Sequence, residues 1–334
     1  MPEAPAAARG EEGRLKAWRT PSLVLLVAGA ACAPLVASDF QLFKLTSVLI
    51  YALALLGVNI LVGYNGQISL GHGAFYALGA YAAAIPVAHF GLPHWAAVPF
   101  AGLVCLGAGF AFGLPTMRLG GMHFAMATFA LAVVFPGLAK HKSVEHWTGG
   151  AQGLVLDKPP VPLGLALSFD QWLYLFTLAV LVVSLGLAAD LLRGRVGRAI
   201  VAIRDDPVAA EAAGICTAWY KPATLGIGAM FTGMAGALAG IALQVVAPGL
   251  FGIFLSFGLL IGATIGGVSS LAGAIYGALF LQLILLFVGV AAKSLHTANV
   301  FLIYGVALIL AVHFLPGGVA SLVERLARIR AAMR

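Results

Sequence analysis

The chain has 334 residues, of which 61% are hydrophobic and only 9% charged, with a mean hydropathy of +1.02 and a formal net charge of +7. A soluble domain carries about a quarter charged residues, so a soluble fold is excluded and the chain reads as an all-α polytopic membrane protein. The isoelectric point near 9.5 is no argument for nucleic acid, because membrane topology accounts more simply for the excess of Lys and Arg.

Residues 1–20 form a basic tail with Arg9, Arg14, Lys16 and Arg19 ahead of the first apolar run. No small-residue cleavage site leading to a polar mature domain follows, which favours an uncleaved first helix over a signal peptide. Glycine, proline and charge then divide residues 21–315 into ten apolar spans, most of about 18 to 25 residues. They are roughly 21–38, 43–63, 66–90, 95–115, 120–140, 170–191, 222–247, 253–268, 271–291 and 299–315, the eighth being the shortest. Residues 316–334 form a second basic tail.

An even number of spans puts both tails and the loops after even-numbered spans on the cytoplasmic side. That side holds the four basic residues of the N-terminal tail, Arg118, five in the loop 192–221 (Arg193, Arg195, Arg198, Arg204, Lys221) and Arg325, Arg328, Arg330 and Arg334. The outer side holds Lys44, Lys140, Lys142, Lys158 and Lys293. Most of the 19 basic residues therefore fall inside, as the positive-inside rule requires.

The stretch "GYNGQISLGHGAF" (63–75) sets Asn65, Gln67, Ser69 and His72 among four glycines between two apolar runs. On a helix starting near residue 66, Ser69, His72, Gly73, Tyr76 and Ala80 share one stripe while Leu70, Phe75 and Leu78 point elsewhere. Gly63 and Gly66 let "GYNGQ" unwind at little cost, and unwound backbone in lipid is tolerated only where protein or a water-filled path satisfies it. Ser69, His72 and Tyr76 thereby become candidates for the border of a translocation path. For Asn65 and Gln67 two readings stand side by side, the same path or the water interface.

The outer loop 141–169 contains "EHWTGGAQGLVLDKPPVPLG", a composition that suits either a structured lid or a plain connector. The inner loop holds "AIRDDPVAAEAAGI". There Asp206 can cap a helix, Pro207 suits its first position and Gly214 its C-terminal end, giving about two turns that carry Glu211, flanked by Arg204 and Asp205. A helix this short is not stable alone. It caps the membrane surface or fits a groove on a cytoplasmic partner.

Several motifs in fixed order now carry a resemblance: "GYNGQISLGHGAFYALGAYAA", "TGGAQGL", "GRAIVAIRDDPVAAEAAGI", "GGVSSLAGAIYGALF" and "FLPGGV". Together they resemble the LivM-type inner-membrane permease of branched-chain amino acid ABC importers, over about residues 40–320. The resemblance implies a homologous permease partner, two cytoplasmic ATPase subunits, a periplasmic substrate-binding protein and a place in the bacterial inner membrane. It also implies that Arg204, Asp205, Asp206, Pro207, Glu211 and Gly214 belong to an element similar to a coupling helix. Gly214 directly follows Ala213, without the three-residue gap of the EAA signature in many other importers, so contacts inferred from those do not carry over. The implied substrate is a branched-chain amino acid, with urea or short amides open. An amino acid carboxylate crossing near residue 66 would be favoured by a helix N-terminus there.

The chain has no G-x-x-x-x-G-K-[ST] run to cradle nucleotide phosphates. No cofactor is expected on it, and ATP hydrolysis is expected on partner subunits. An ion-coupled secondary transporter would need carboxylates within the spans, and Asp170 and Asp190 sit only at span ends. A membrane enzyme would need a clustered nucleophile or metal set, whereas the eight histidines are dispersed. Cys32, Cys105 and Cys216 read as packing residues. His123, His313 and Gln244 read as interhelical hydrogen-bonding groups. Gly236 and Gly240, Gly262 and Gly266, and Gly273 and Gly277 form small-xxx-small packing pairs. Spans three and eight, both glycine-interrupted, correspond in a five-plus-five inverted repeat, the pattern that marks a transport site.

Overall fold

The computed structural model describes residues 29–116, 119, 121–158, 167–294, 305 and 318–320. The N-terminal tail, residues 21–28 of the first span, Arg118, nearly all of the tenth span with His313, and most of the C-terminal tail lie outside the described residues. The second to ninth spans are all helical.

Helix α1 (Asp39–Val58) opens with a capping box in which the Ser38 N–H donates to Gln41 Oε1 at 3.0 Å. It runs on into a π-helical turn, Asn59–Tyr64. Helices α2 (His72–Phe90), α3 (His94–Thr116) and α4 (Gly121–Ala139) follow. A short α5 (Glu145–Thr148) and strand β1 (Leu154–Val155) lie in the outer loop. Helix α6 (Phe169–Arg193) starts with a second capping box, Ser168 with Gln171, and Ser168 Oγ also donates to Asp39 Oδ1 at 3.2 Å. Then come α7 (Arg195–Asp205), α8 (Pro207–Ala212), α9 (Thr217–Leu243), strand β2 (Val245–Val246), α10 (Ile253–Gly266) and α11 (Leu271–Ser294).

Seven stretches among the described residues are long and apolar enough to cross a membrane, and α11 is apolar over Leu271–Phe287. Helix α9 is central, 78% buried over its most apolar window against 28% for peripheral α4. It packs on α1, α2 and α3. Small residues permit this closeness: a Cβ on Gly236 would run into the Tyr76 carbonyl, and one on Gly79 into the Gly233 backbone. The α10–α11 contact works alike, with Gly266 against Gly273 and Gly277 against Gly262. The glycine pairs of the sequence are therefore packing devices, as van der Waals contact drives helix association in lipid.

Three differences from the sequence reading bear on the site. The third span starts at His72 rather than 66; in the run before it, the Gln67 N–H donates to the Leu61 carbonyl and the Leu70 N–H to Thr128 Oγ1. The seventh span ends at Leu243, with Gln244 in the left-handed region (φ 58°) and its carbonyl accepting the Leu156 N–H at 2.9 Å. The third difference is α7, a separate amphipathic helix with Ala199, Ile200 and Ile203 buried.

The described part of the outer loop is structured. β1 pairs antiparallel with β2, Leu154 opposite Val246, and Thr148 Oγ1 donates to the Ala139 carbonyl at 2.7 Å. The packing role holds for buried Cys105, whereas Cys32 and Cys216 are exposed. His123 is exposed on α4 rather than placed between helices.

Candidate functional site

The contacts sort the loops onto two ends of the bundle. β1 and β2, the starts of α1 and α6, and the aromatic contact of Phe90 with Trp147 mark one end. The end of α1, the turn between α10 and α11, and α7 with α8 mark the other, joined by hydrogen bonds among Gly63, Ser269 and Arg204.

Between these ends the chain leaves helical geometry twice. Residues 65–71 connect α1 to α2, with Gly66 in the left-handed region at φ 71°. Residues 244–252 connect α9 to α10 through β2 and a single 3-10 turn at Pro248–Leu250. At 14 residues, α10 is about 21 Å long, short of the ~30 Å hydrocarbon core. It completes its crossing with the segment that precedes it.

The two non-helical segments deliver two helix starts to the same place. The Gly73 N–H at the start of α2 donates to Ser256 Oγ in the first turn of α10 at 3.0 Å. The Leu70 N–H donates to Thr128 Oγ1 of α4 at 3.0 Å, and the Gly71 N–H reaches Ser69 Oγ at 3.2 Å. Hydroxyls from three elements thus satisfy N–H groups that a helix start leaves unpaired.

The candidate path residues fall as follows. Asn65, Ser69, His72 and Tyr76 are buried and Gln67 is partly buried. Ser69 precedes α2, so the expected helical stripe is shortened to His72, Gly73, Tyr76 and Ala80; the hydroxyl of Ser69 serves the helix start instead. The helix N-terminus lies near residue 72 rather than 66, and its leading N–H groups face protein oxygens.

His72 lies between Phe75, with ring centroids 6.4 Å apart, and the backbone of α9 at Gly228, where an added Cβ would stand 3.5 Å from Nε2. Both side-chain polar atoms of Asn65 are buried without a hydrogen-bond partner among the described residues. Tyr76 meets Phe251 of the second non-helical segment at 6.2 Å. An aromatic contact that long-range cannot be read from sequence.

The loop element is built largely as its sequence dictates. Asp206 caps α8, its Oδ1 accepting the N–H groups of Val208 (2.8 Å) and Ala209 (3.1 Å). Pro207 opens the helix, and Gly214 ends the turn at φ 84°. Thr217 Oγ1 donates to Glu211 Oε1, tying α8 to the start of α9. Only Ala210 of α8 is buried, and Val208 is 76% exposed.

Arg204 makes contacts that its place beside the loop helix does not reveal. It turns inward from the last turn of α7 to the Gly63 carbonyl, while its Nε and Nη2 hold Asp205 Oδ1 at 3.1 and 3.0 Å. Sequence reasoning missed Ser256, Thr128 and Ser269 altogether. Single hydroxyls in apolar runs commonly bond their own helix, and Thr128 itself also donates to the Ala125 carbonyl.

The comparisons with known proteins agree with this architecture. The chain is 32% identical over 282 residues to the high-affinity branched-chain amino acid transport system permease protein LivM of Escherichia coli strain K12, covering 78% of this chain and 66% of that relative. The LivM protein of Salmonella typhimurium gives the same figures. The chain thus spans just under two thirds of the length of these relatives. BraD of Pseudomonas aeruginosa, named as a permease protein of the same kind of system, is 28% identical over 249 residues, covering 69% of this chain and 79% of BraD. No solved structure matches the chain. The family described as "Branched-chain amino acid transport system / permease component" matches residues 41–312, and the chain belongs to it.

Proposed function

We propose that the chain is a permease subunit of an ATP-binding cassette importer that moves branched-chain amino acids across the bacterial inner membrane. It forms half of the pathway beside a homologous permease subunit. A periplasmic binding protein delivers substrate, and two cytoplasmic ATPase subunits drive the cycle. The chain itself binds no nucleotide. Both termini and the α7–α8 end face the cytoplasm, in keeping with the distribution of Lys and Arg.

The observation that carries this reading, in a chain of this permease family, is the form of α8. A short capped helix that buries only Ala210 has little reason to be ordered unless its exposed side meets a partner. Asp206, Pro207, Glu211 and Gly214 shape that knob. Asn65, Gln67, Ser69, His72 and Tyr76 border the path where α2 begins, as paired interrupted helices in a transporter suggest.

The test is to purify the chain with the subunits of its own system and place a charge on the exposed apex. Val208→Asp should release the ATPase subunits from an otherwise intact membrane pair. Retention of the ATPase subunits at wild-type stoichiometry would contradict the docking role of α8.

A further inference from the structure

The π-helical end of α1 leaves its last carbonyls without helical donors, and the negative end of the helix dipole gathers there. The chain that follows closes only part of this end: the Gln67 N–H donates to the Leu61 carbonyl at 3.2 Å. The Gly63 carbonyl is satisfied from two distant elements. Ser269 Oγ, in the α10–α11 turn, donates to it at 2.6 Å, and Arg204 Nη1, in α7, donates to it at 3.2 Å. Arg204 Nη1 also lies 3.4 Å from Ser269 Oγ. Asn59 Nδ2 ties the same turn down by donating to the Ser270 carbonyl at 3.1 Å.

The backbone is shaped around this contact. Gly66 is left-handed at φ 71°, and a Cβ there would stand 2.8 Å from Arg204 Cγ. A Cβ on Gly63 would collide with the Ser269 backbone. The arginine stem therefore lies directly on the lead-in to α2. Two residues further along, Asp206 ends α7, its N–H donating to the Ala202 carbonyl at 3.0 Å, and caps α8. Asp206 thus joins α8 directly to the turn that bears Arg204.

We infer that Arg204, with Ser269, latches the end of α1 to α7, so that movement of the exposed loop helix opens or closes the lead-in to α2. Arg204 is a positioning residue that acts through the Gly63 carbonyl, not a contact for the ATPase. Its planar fork serves Gly63, Ser269 and Asp205 together, which the single ammonium of lysine cannot do. The transport consequence rests on the proposed importer function; the latch itself does not.

The test uses the whole complex in two arms. In the first, hydrogen exchange of backbone amides is compared between wild type, Arg204→Gln, Ser269→Ala and the double variant. Loss of a charge-assisted hydrogen bond should speed exchange over residues 65–69 by roughly tenfold in Arg204→Gln. The double variant should add less than the product of the singles, since both donors share one acceptor. In the second arm, ATP consumed per leucine imported should rise at least about fivefold in Arg204→Gln, with the ATPase subunits still bound. Unchanged exchange at 65–69 overturns the latch. Loss of ATPase subunits at unchanged exchange would make Arg204 a docking residue instead. Wild-type complex that imports no leucine would remove the importer reading, and the exchange arm would still decide the latch.

Discussion

Gly73 and Ser256 stand 183 positions apart, yet the N–H of the first donates to the hydroxyl of the second at 3.0 Å. They sit in the first turns of α2 and α10, which run toward opposite ends of the bundle. Each helix is preceded by a non-helical segment. A single hydroxyl thus fastens together two helix starts within the bundle, where an unsatisfied N–H has no water to turn to.

Removing that hydroxyl should loosen α2 more than its size suggests. Ser256→Ala leaves the Gly73 amide buried without a partner, at a cost of about 1–3 kcal/mol. Hydrogen exchange over residues 72–76 should accelerate while α3 stays protected. Equal protection in both proteins would show that Ser256 does not hold the helix start.

The cap of α8 gives a second prediction. Asp206→Ala removes the acceptor for the Val208 and Ala209 amides and should cost about 1 kcal/mol, or roughly fivefold faster local exchange. Asp206→Asn keeps an acceptor and should stay close to wild type. Glu211→Lys, which breaks the bond from Thr217, should leave the protein inserted while ATP hydrolysis no longer tracks transport. Coupled transport at the wild-type level in Glu211→Lys would contradict the role given to α8.

This element is the most legible part of the chain, because its signals are local. Asp206, Pro207 and Gly214 occupy positions that backbone chemistry dictates within a single short stretch. The start of α2, at His72 rather than residue 66, is hidden for the opposite reason. The hydroxyls that meet the chain on either side of the α2 start, Thr128 at the Leu70 N–H and Ser256 at the Gly73 N–H, come from other helices. The inward turn of Arg204 is equally hidden, since its acceptor is a backbone carbonyl 141 positions away. The capping boxes at Ser38 and Ser168 are local signals too, yet the sequence reading passes over them and begins the second span at 43 rather than Asp39.

Packing of the central helix can be tested with a matched pair of glycines. Gly79→Ala forces a methyl into the Gly233 backbone and should cost about 1–3 kcal/mol as an overpacking change. Gly186 has nothing within 4 Å of an added Cβ, and Gly186→Ala should be neutral or stabilising by up to about 1 kcal/mol. Thermal loss of the monodisperse complex in detergent separates the two. Equal midpoints would mean that α2 and α9 are not in the close contact described.

Accessibility around the break gives a fourth prediction. Ile68 is 53% exposed, whereas Ser69, His72 and Tyr76 are at or below 6%. In a background lacking the native cysteines, cysteine at 68 should react with a water-soluble thiol reagent at least about tenfold faster than cysteine at 72 or 76 in the nucleotide-free complex. Trapping the ATP-bound state should raise reactivity at 72 and 76. If neither position responds to ATP, the stripe on α2 is helix packing and not part of the path.

The proposed role in an ATP-driven importer of branched-chain amino acids is tested most directly by leucine uptake. Proteoliposomes holding the complete complex, with the cognate binding protein and labelled leucine outside and ATP inside, should accumulate leucine. Without ATP, or without the binding protein, they should accumulate none. Accumulation driven by a proton or sodium gradient in the absence of ATP would contradict the account.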